Sequence, residues 1–142
     1  MVRGQSDRRQ TLRDLSQEFY AARVERKHGR GDDAADYDNS GRVSLAITNF
    51  EGEMAGLYRA EQAGHYRDIA TRAGIGLPSK NRLGFGCLFA DFDLDGALDL
   101  VVANGHIENE IGRVQPKVSY KEPPLLFRNQ GKGKFENVAA AM

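Results

Sequence analysis

Four aspartates alternate with other residues in the segment that begins at Asp91. Side chains at alternate positions of a tight turn converge on one point, and calcium takes about six to eight oxygen ligands at roughly 2.3–2.6 Å. Four carboxylates and one backbone carbonyl supply most of that shell, and Gly96 permits the sharp turn. An oxygen-only donor set argues against zinc or copper. The spacing therefore predicts a calcium site whose ligands are Asp91, Asp93, Asp95, Ala97 (through its backbone carbonyl) and Asp99.

The residues that follow this segment exclude an EF-hand. An EF-hand loop requires a bidentate Glu at its twelfth position and a helix on each side. Here the twelfth position is Val102, and Leu98–Ala103 is an apolar run with the character of a strand. An aspartate-rich turn that binds no metal remains the alternative interpretation.

A weaker copy of the same pattern begins at Asp36. Two of its carboxylates are replaced by hydroxyls, and calcium affinity falls with the number of charged ligands. The sequence predicts either a weak calcium site or a turn that has kept its shape without the ion. The corresponding positions are Asp36, Asp38, Ser40, Arg42 (again through its backbone carbonyl) and Ser44.

The two copies belong to an internal repeat. Residues 34–49 align without gaps on residues 89–104, and two later blocks also match, 57–59 with 126–128 and 64–66 with 133–135. Repeats of about four strands and 50–60 residues are typical of β-propeller blades. We therefore predict an all-β fold of two four-stranded propeller-type blades, an incomplete propeller, with a short N-terminal helix. The predicted strands are Ala34–Tyr37, Val43–Thr48, Gly56–Arg59, Tyr66–Ile69, Gly84–Phe92, Leu98–Ala103, Leu125–Arg128 and Lys134–Val138.

The chain divides into three predicted segments. Residues 1–31 are polar and basic, 32–82 form the first repeat, and 83–142 form the second, with a long insertion at 105–124. Apolar residues at helical spacing predict a short amphipathic helix over Thr11–Arg26. This helix is either a solvated, loosely attached element or a contact for a membrane surface or a partner.

Composition excludes several classes of function. Twenty basic and twenty acidic residues give a net charge of zero, so no overall field attracts nucleic acid. No apolar run is long enough to span a membrane, and no export signal is visible. Cys87 is the only cysteine, so no internal disulfide forms.

His106, near two glutamates, is a candidate base, although a loop histidine without catalytic role is the simpler interpretation.

The second repeat resembles a known family. The segment LGFGCLFADFDLDGALDLVVANGH is similar to an FG-GAP repeat of the integrin-α and VCBS type, with Phe85-Gly86 at the FG position and Ala103-Asn104-Gly105 in place of the GAP tripeptide. The following run to residue 139 is similar to proteins of the ASPIC/UnbV class, which resemble cartilage acidic protein. The resemblance covers roughly residues 32–142. It implies an extracellular or periplasmic β-propeller of several blades, with calcium in its loops and no chemistry of its own.

Three hypotheses of function follow. The first is a non-enzymatic, calcium-binding propeller module, a fragment of a larger propeller, that binds a protein or a glycan and pairs through open sheet edges. The second is a metal-dependent hydrolase-type domain that uses the aspartates and His106. The third is a truncated product without function. The long insertion at 105–124 is the segment where we expect contact with a partner.

Overall fold

The computed structural model describes residues 31–62 and 64–139. Within these ranges the chain is mostly β, with two four-stranded antiparallel sheets and a few short helices. This confirms the all-β prediction at the level of two four-stranded sheets. The helix predicted over Thr11–Arg26 lies outside the described residues.

The strands of each sheet follow one another in chain order, β1-β2-β3-β4 and β5-β6-β7-β8. All eight predicted strands are present, although their ends shift by up to three residues. Tyr37 and Phe92, which were predicted inside strands, lie in loops. The strands are β1 Gly31–Ala35, β2 Ser44–Thr48, β3 Gly56–Gln62, β4 His65–Asp68, β5 Gly84–Ala90, β6 Asp99–Asn104, β7 Leu125–Gly131 and β8 Lys134–Asn137.

Alternation along the strands determines which face of the second sheet is buried. Leu100 and Val102 on β6 and Phe127 on β7 are almost completely buried, whereas Val101 and Leu126 are more exposed. Successive side chains of a strand point to opposite faces of the sheet. The buried set belongs to one apolar core with side chains of the first sheet, so the two sheets pack face to face.

Tyr37 is at the centre of the contact between the sheets. Its ring stacks on Phe89 at a centroid distance of 5.8 Å and lies against Phe135 at 5.4 Å. The Phe89 N–H also donates a hydrogen bond of 2.7 Å to a carboxylate oxygen of Asp33 on the other sheet. The contact therefore combines aromatic packing with a directional hydrogen bond to a charged group, the stronger kind.

The two sheets also repeat each other in their polar contacts. At the end of β2, the side-chain amide of Asn49 donates to the Met54 carbonyl at 2.7 Å. At the end of β6, Asn104 donates in the same way to the Pro123 carbonyl at 3.0 Å. Each of these bonds links the end of one strand to the residues just before the next strand. The shorter connection in the first sheet and the longer connection in the second are therefore held by the same kind of hydrogen bond.

Three short helices connect these strands. Ala70–Ala73 (α1) and Gly76–Ser79 (α2) lie between the sheets in sequence, and Ile111–Val114 (α3) lies in the insertion at 105–124. Within this insertion Ile111 is buried and anchors the segment to the domain. In the described part of the chain, no helix has the length and apolar character needed to span a membrane.

Candidate metal centre

The connection between β5 and β6 is a tight turn built by aspartate side chains. Asp91 accepts hydrogen bonds from the N–H groups of Asp95 at 3.0 Å and Gly96 at 2.9 Å. Leu94 and Gly96 adopt positive φ angles of 59° and 89°. Glycine reaches that conformation without a steric penalty, so Gly96 allows the chain to fold back over Asp91 as the sequence predicted.

Three carboxylates converge within this turn, and we refer to Asp91, Asp93 and Asp99 as the acidic triad. One oxygen from each lies within 4.8 Å of the others. Oxygens that share one calcium ion at about 2.3–2.6 Å can be no more than roughly 5 Å apart, so this spacing fits a single cation. In the described residues this is the only group of three acidic, histidine or cysteine side chains with such spacing.

Asp99 is the buried member of the triad. It is 2% exposed, and its two carboxylate oxygens accept N–H groups from Asn129 at 2.8 Å and Phe92 at 3.1 Å. Carboxylate oxygens have about four acceptor sites between them, so both hydrogen bonds leave capacity for a cation. These two bonds orient the Asp99 carboxylate relative to β7 and to the loop.

The other two predicted ligands are outside the triad. The Asp95 carboxylate accepts the Ala97 N–H at 2.8 Å, which closes a local turn on the exposed side of the loop. The structure thus brings together three of the four predicted carboxylates. Direct ligation by Asp95 and by the Ala97 carbonyl remains a prediction.

Arg128 contacts the triad and was not identified from the sequence. Its Nε lies 2.8 Å from an oxygen of Asp93. In the first sheet Arg59 forms the same contact with Asp38, also at 2.8 Å. The signal was present in the aligned blocks 57–59 and 126–128, which both end in arginine, but the partner of that arginine is visible only in the folded chain.

The weaker copy in the first sheet keeps the turn but not the cluster of carboxylates. Asp36 accepts the N–H groups of Ser40 and Gly41, each at 2.8 Å, which repeats the contacts of Asp91. Burial raises the pKa of Asp38, but contacts from Ser40 and the Arg59 guanidinium outweigh burial and hold the pKa below its usual value. This loop therefore has a fixed positive partner for one of its two carboxylates.

The remaining two positions of that loop have structural contacts. Ser44 is fully buried and its hydroxyl accepts the Ala60 N–H at 3.1 Å, the bond that Asp99 makes to Asn129 in the second sheet. The Arg42 side chain donates to the Ala60 carbonyl at 3.0 Å. These contacts favour the interpretation of this loop as a turn; its occupancy by calcium stays a prediction.

His106 contacts two glutamates, and Cys87 lies close to two aspartates of β1. His106 Nε2 lies 3.6 Å from a carboxylate oxygen of Glu51, and Nδ1 accepts the Glu108 N–H at 3.0 Å. Burial, together with the charges of Asp33 and Asp32, raises the pKa of the Cys87 thiol to about 12. A thiol with so high a pKa is protonated at neutral pH and is a poor nucleophile.

Comparison with known proteins adds no identification. No family model matches the chain, and no curated protein matches it significantly. The function of the acidic triad must therefore be inferred from its residues and their geometry.

Proposed function

We propose that this protein is a calcium-binding β-repeat module without enzymatic activity, a blade pair of a propeller that serves as a scaffold for a protein or a glycan. The observation that carries the proposal is the convergence of the acidic triad on one point. The resemblance of the second repeat to FG-GAP repeats supports calcium as the ion. It also supports an extracellular or periplasmic location, where sites of about 10⁻⁴–10⁻³ M affinity are occupied.

Electrostatics supports a role for the ion in stability. Two unit charges about 5 Å apart repel each other by roughly 1 kcal/mol in water and by about 3 kcal/mol at an effective dielectric constant of 20. Arg128 offsets part of this repulsion at Asp93. Within the residues that the structure describes, neither Asp91 nor Asp99 forms a salt bridge with an arginine or lysine. A divalent cation would remove the repulsion, so its binding stabilises the fold.

The donor set and its exposure favour calcium over magnesium. Magnesium requires near-ideal octahedral geometry and keeps most of its water, whereas calcium accepts irregular oxygen shells. The triad combines the buried Asp99 with the exposed Asp93, so protein oxygens lie on one side and water has access on the other. Such an irregular, half-open shell fits calcium.

An uncovered apolar face supports the proposal of further blades. On the first sheet, Ala46 and Leu57 are buried beneath the second sheet. The aligned residues of the second sheet are Val101 and Leu126, which are only partly buried, and their neighbour Leu88 is 51% exposed. We propose that a further blade covers this face, as the second sheet covers the aligned face of the first.

Thermal melts at increasing calcium concentration test the calcium proposal. We expect the melting temperature to rise with calcium up to about 10 mM, since a ligand at 100 times its Kd stabilises by about 2.7 kcal/mol. Asp93→Ala should abolish the rise. Asp38→Ala, the matched change in the first loop, should retain it, and Asp95→Ala reports whether that carboxylate ligates. A wild-type melt that is indifferent to 10 mM calcium contradicts the proposal.

The absence of enzymatic activity is tested separately. A hydrolase that used His106 as its base would need this side chain at the triad, whereas His106 lies beside Glu51, Glu108 and the Tyr120 carbonyl. We expect no turnover of generic ester, phosphate or glycoside substrates with calcium or magnesium. Turnover that Asp93→Ala abolishes would contradict a purely structural role for the triad.

A further inference from the structure

Asn129 on β7 connects the acidic triad to the first sheet. Its backbone N–H donates to Asp99 at 2.8 Å. Its side-chain amide donates to two carbonyls, Leu98 beside the triad at 2.9 Å and Tyr37 of the first sheet at 3.0 Å. Its side-chain oxygen accepts the Gly131 N–H at 2.9 Å. Because the backbone N–H and both polar atoms of this buried side chain have partners, Asn129 is held both to the second sheet and to the first.

The first repeat lacks this connection. The residue aligned with Asn129 is Ala60, whose N–H donates to Ser44 as that of Asn129 does to Asp99. Alanine has no side-chain donor, so nothing at that position reaches a neighbouring loop. The amide bridge therefore occurs in the repeat that has the acidic triad and not in the repeat that has lost it.

The bridge ends on the residue that organises the contact between the sheets. Tyr37, whose carbonyl accepts from Asn129, stacks on Phe89 and lies against Phe135. A cation drawn to Asp99 restrains that carboxylate, and through it the backbone of Asn129. The side-chain amide of Asn129 in turn restrains the backbone of Tyr37. A bound ion and the packing of the aromatic rings would therefore both restrain Asn129.

We propose that Asn129 couples occupancy of the acidic triad to the packing of the first sheet on the second. This inference rests on the proposed calcium function and adds to it a means of regulation: calcium tightens the contact between the two repeats. Such a coupling is reciprocal, so a tighter contact between the sheets raises the affinity for calcium by the same factor. Asn129 is thus a positioning residue that does not itself touch the ion.

Calorimetry and amide exchange together test the coupling. Calcium affinity is measured by isothermal titration of the wild type, Asn129→Ala and the control Asn104→Ala, which also loses an amide bonded to backbone carbonyls. We expect Asn129→Ala to weaken calcium binding about tenfold, as is usual for residues that orient metal ligands, and Asn104→Ala to leave it unchanged. The exchange of the Phe89 N–H, which bonds to Asp33 across the sheets, reports on the contact itself.

Calcium should slow exchange at Phe89 in the wild type and in Asn104→Ala, but not in Asn129→Ala saturated with calcium. Wild-type calcium binding that leaves exchange at Phe89 unchanged overturns the coupling while the calcium site stands, and so does wild-type affinity in Asn129→Ala. Absence of any calcium binding to the wild type refutes the proposed function and the coupling together. The wild-type comparison needs no variant, so it decides even if Asn129→Ala does not fold.

Discussion

Replacing Asp99 by asparagine separates its structural role from its role toward an ion. The carboxylate of Asp99 accepts two backbone N–H groups, from Phe92 and Asn129, at a site that is 2% exposed. Asparagine has one oxygen acceptor and one NH₂ donor in the same shape. One of the two N–H groups must therefore lose its acceptor and face another donor.

The loss of stability expected for Asp99→Asn follows from the burial of this side chain. A buried N–H left without a partner destabilises a protein by about 1–3 kcal/mol. This corresponds to a decrease in melting temperature of about 4–12 °C for a domain of this size. Asp93→Asn is the matched control, because it removes the same charge from a side chain that is 35% exposed and paired with Arg128. An exposed ion pair contributes only about 0–1 kcal/mol.

Urea unfolding followed by circular dichroism, in EDTA and in 10 mM calcium, is the assay. In EDTA each variant removes one of the mutually repelling charges, so Asp99→Asn should be less stable than Asp93→Asn by about 1–3 kcal/mol. In calcium, both variants should lack the increment that the wild type gains. Equal and small losses for both variants in EDTA would refute the structural role assigned to Asp99.

Three further predictions concern the loop, the cysteine and the core tyrosine. Gly96→Ala should destabilise by about 1 kcal/mol, because φ is +89° and an added Cβ would meet nothing within 4 Å, so only the backbone is strained. Gly86→Ala, with equal space and no positive φ, should not destabilise; urea midpoints compare the two. Cys87 should react with a thiol reagent at pH 8 about 1,000-fold more slowly in the folded chain than after unfolding, because burial raises its pKa from 9.0 to about 12; equal rates would contradict this. Burial raises the pKa of Tyr37 from 10.0 to about 12. Between pH 10 and 12 the Tyr37 hydroxyl therefore ionises in the unfolded chain but stays protonated in the folded one. Stability should therefore fall across pH 10–12 by at most about 3 kcal/mol from this group, and Tyr37→Phe should flatten that part of the urea-midpoint profile.

The strands and the turn were predictable because their causes are local. The short apolar runs of β6 and β7, bounded by turn residues, indicate strands before any contact is known. The pairing of Asp91 with Gly96 in one tight turn depends on residues only five positions apart. The alignment of the two repeats then predicted that a second turn of the same kind begins at Asp36, and the hydrogen bonds of that turn confirm it.

The contacts that connect distant segments were not predictable. Asn129 lies 92 positions from Tyr37 and 30 from Asp99, and nothing in its neighbours along the chain indicates either contact. Arg128 was aligned with Arg59, but a repeated arginine has no visible partner until the strands are paired. The separation of Asp95 from the triad also depends on the path of the loop, since alternate spacing alone treats all four aspartates alike.

Calcium titration of the intact chain by isothermal calorimetry tests the central claim most directly. Asp91 and Asp36 each accept two backbone N–H groups in equivalent turns, so Asp91→Asn and Asp36→Asn perturb the two loops in the same way. We expect calcium to bind the wild type with a Kd no weaker than millimolar, binding to be lost in Asp91→Asn, and binding to be retained in Asp36→Asn. Absence of binding to the wild type, or binding that survives in folded Asp91→Asn, would contradict a calcium site at the acidic triad.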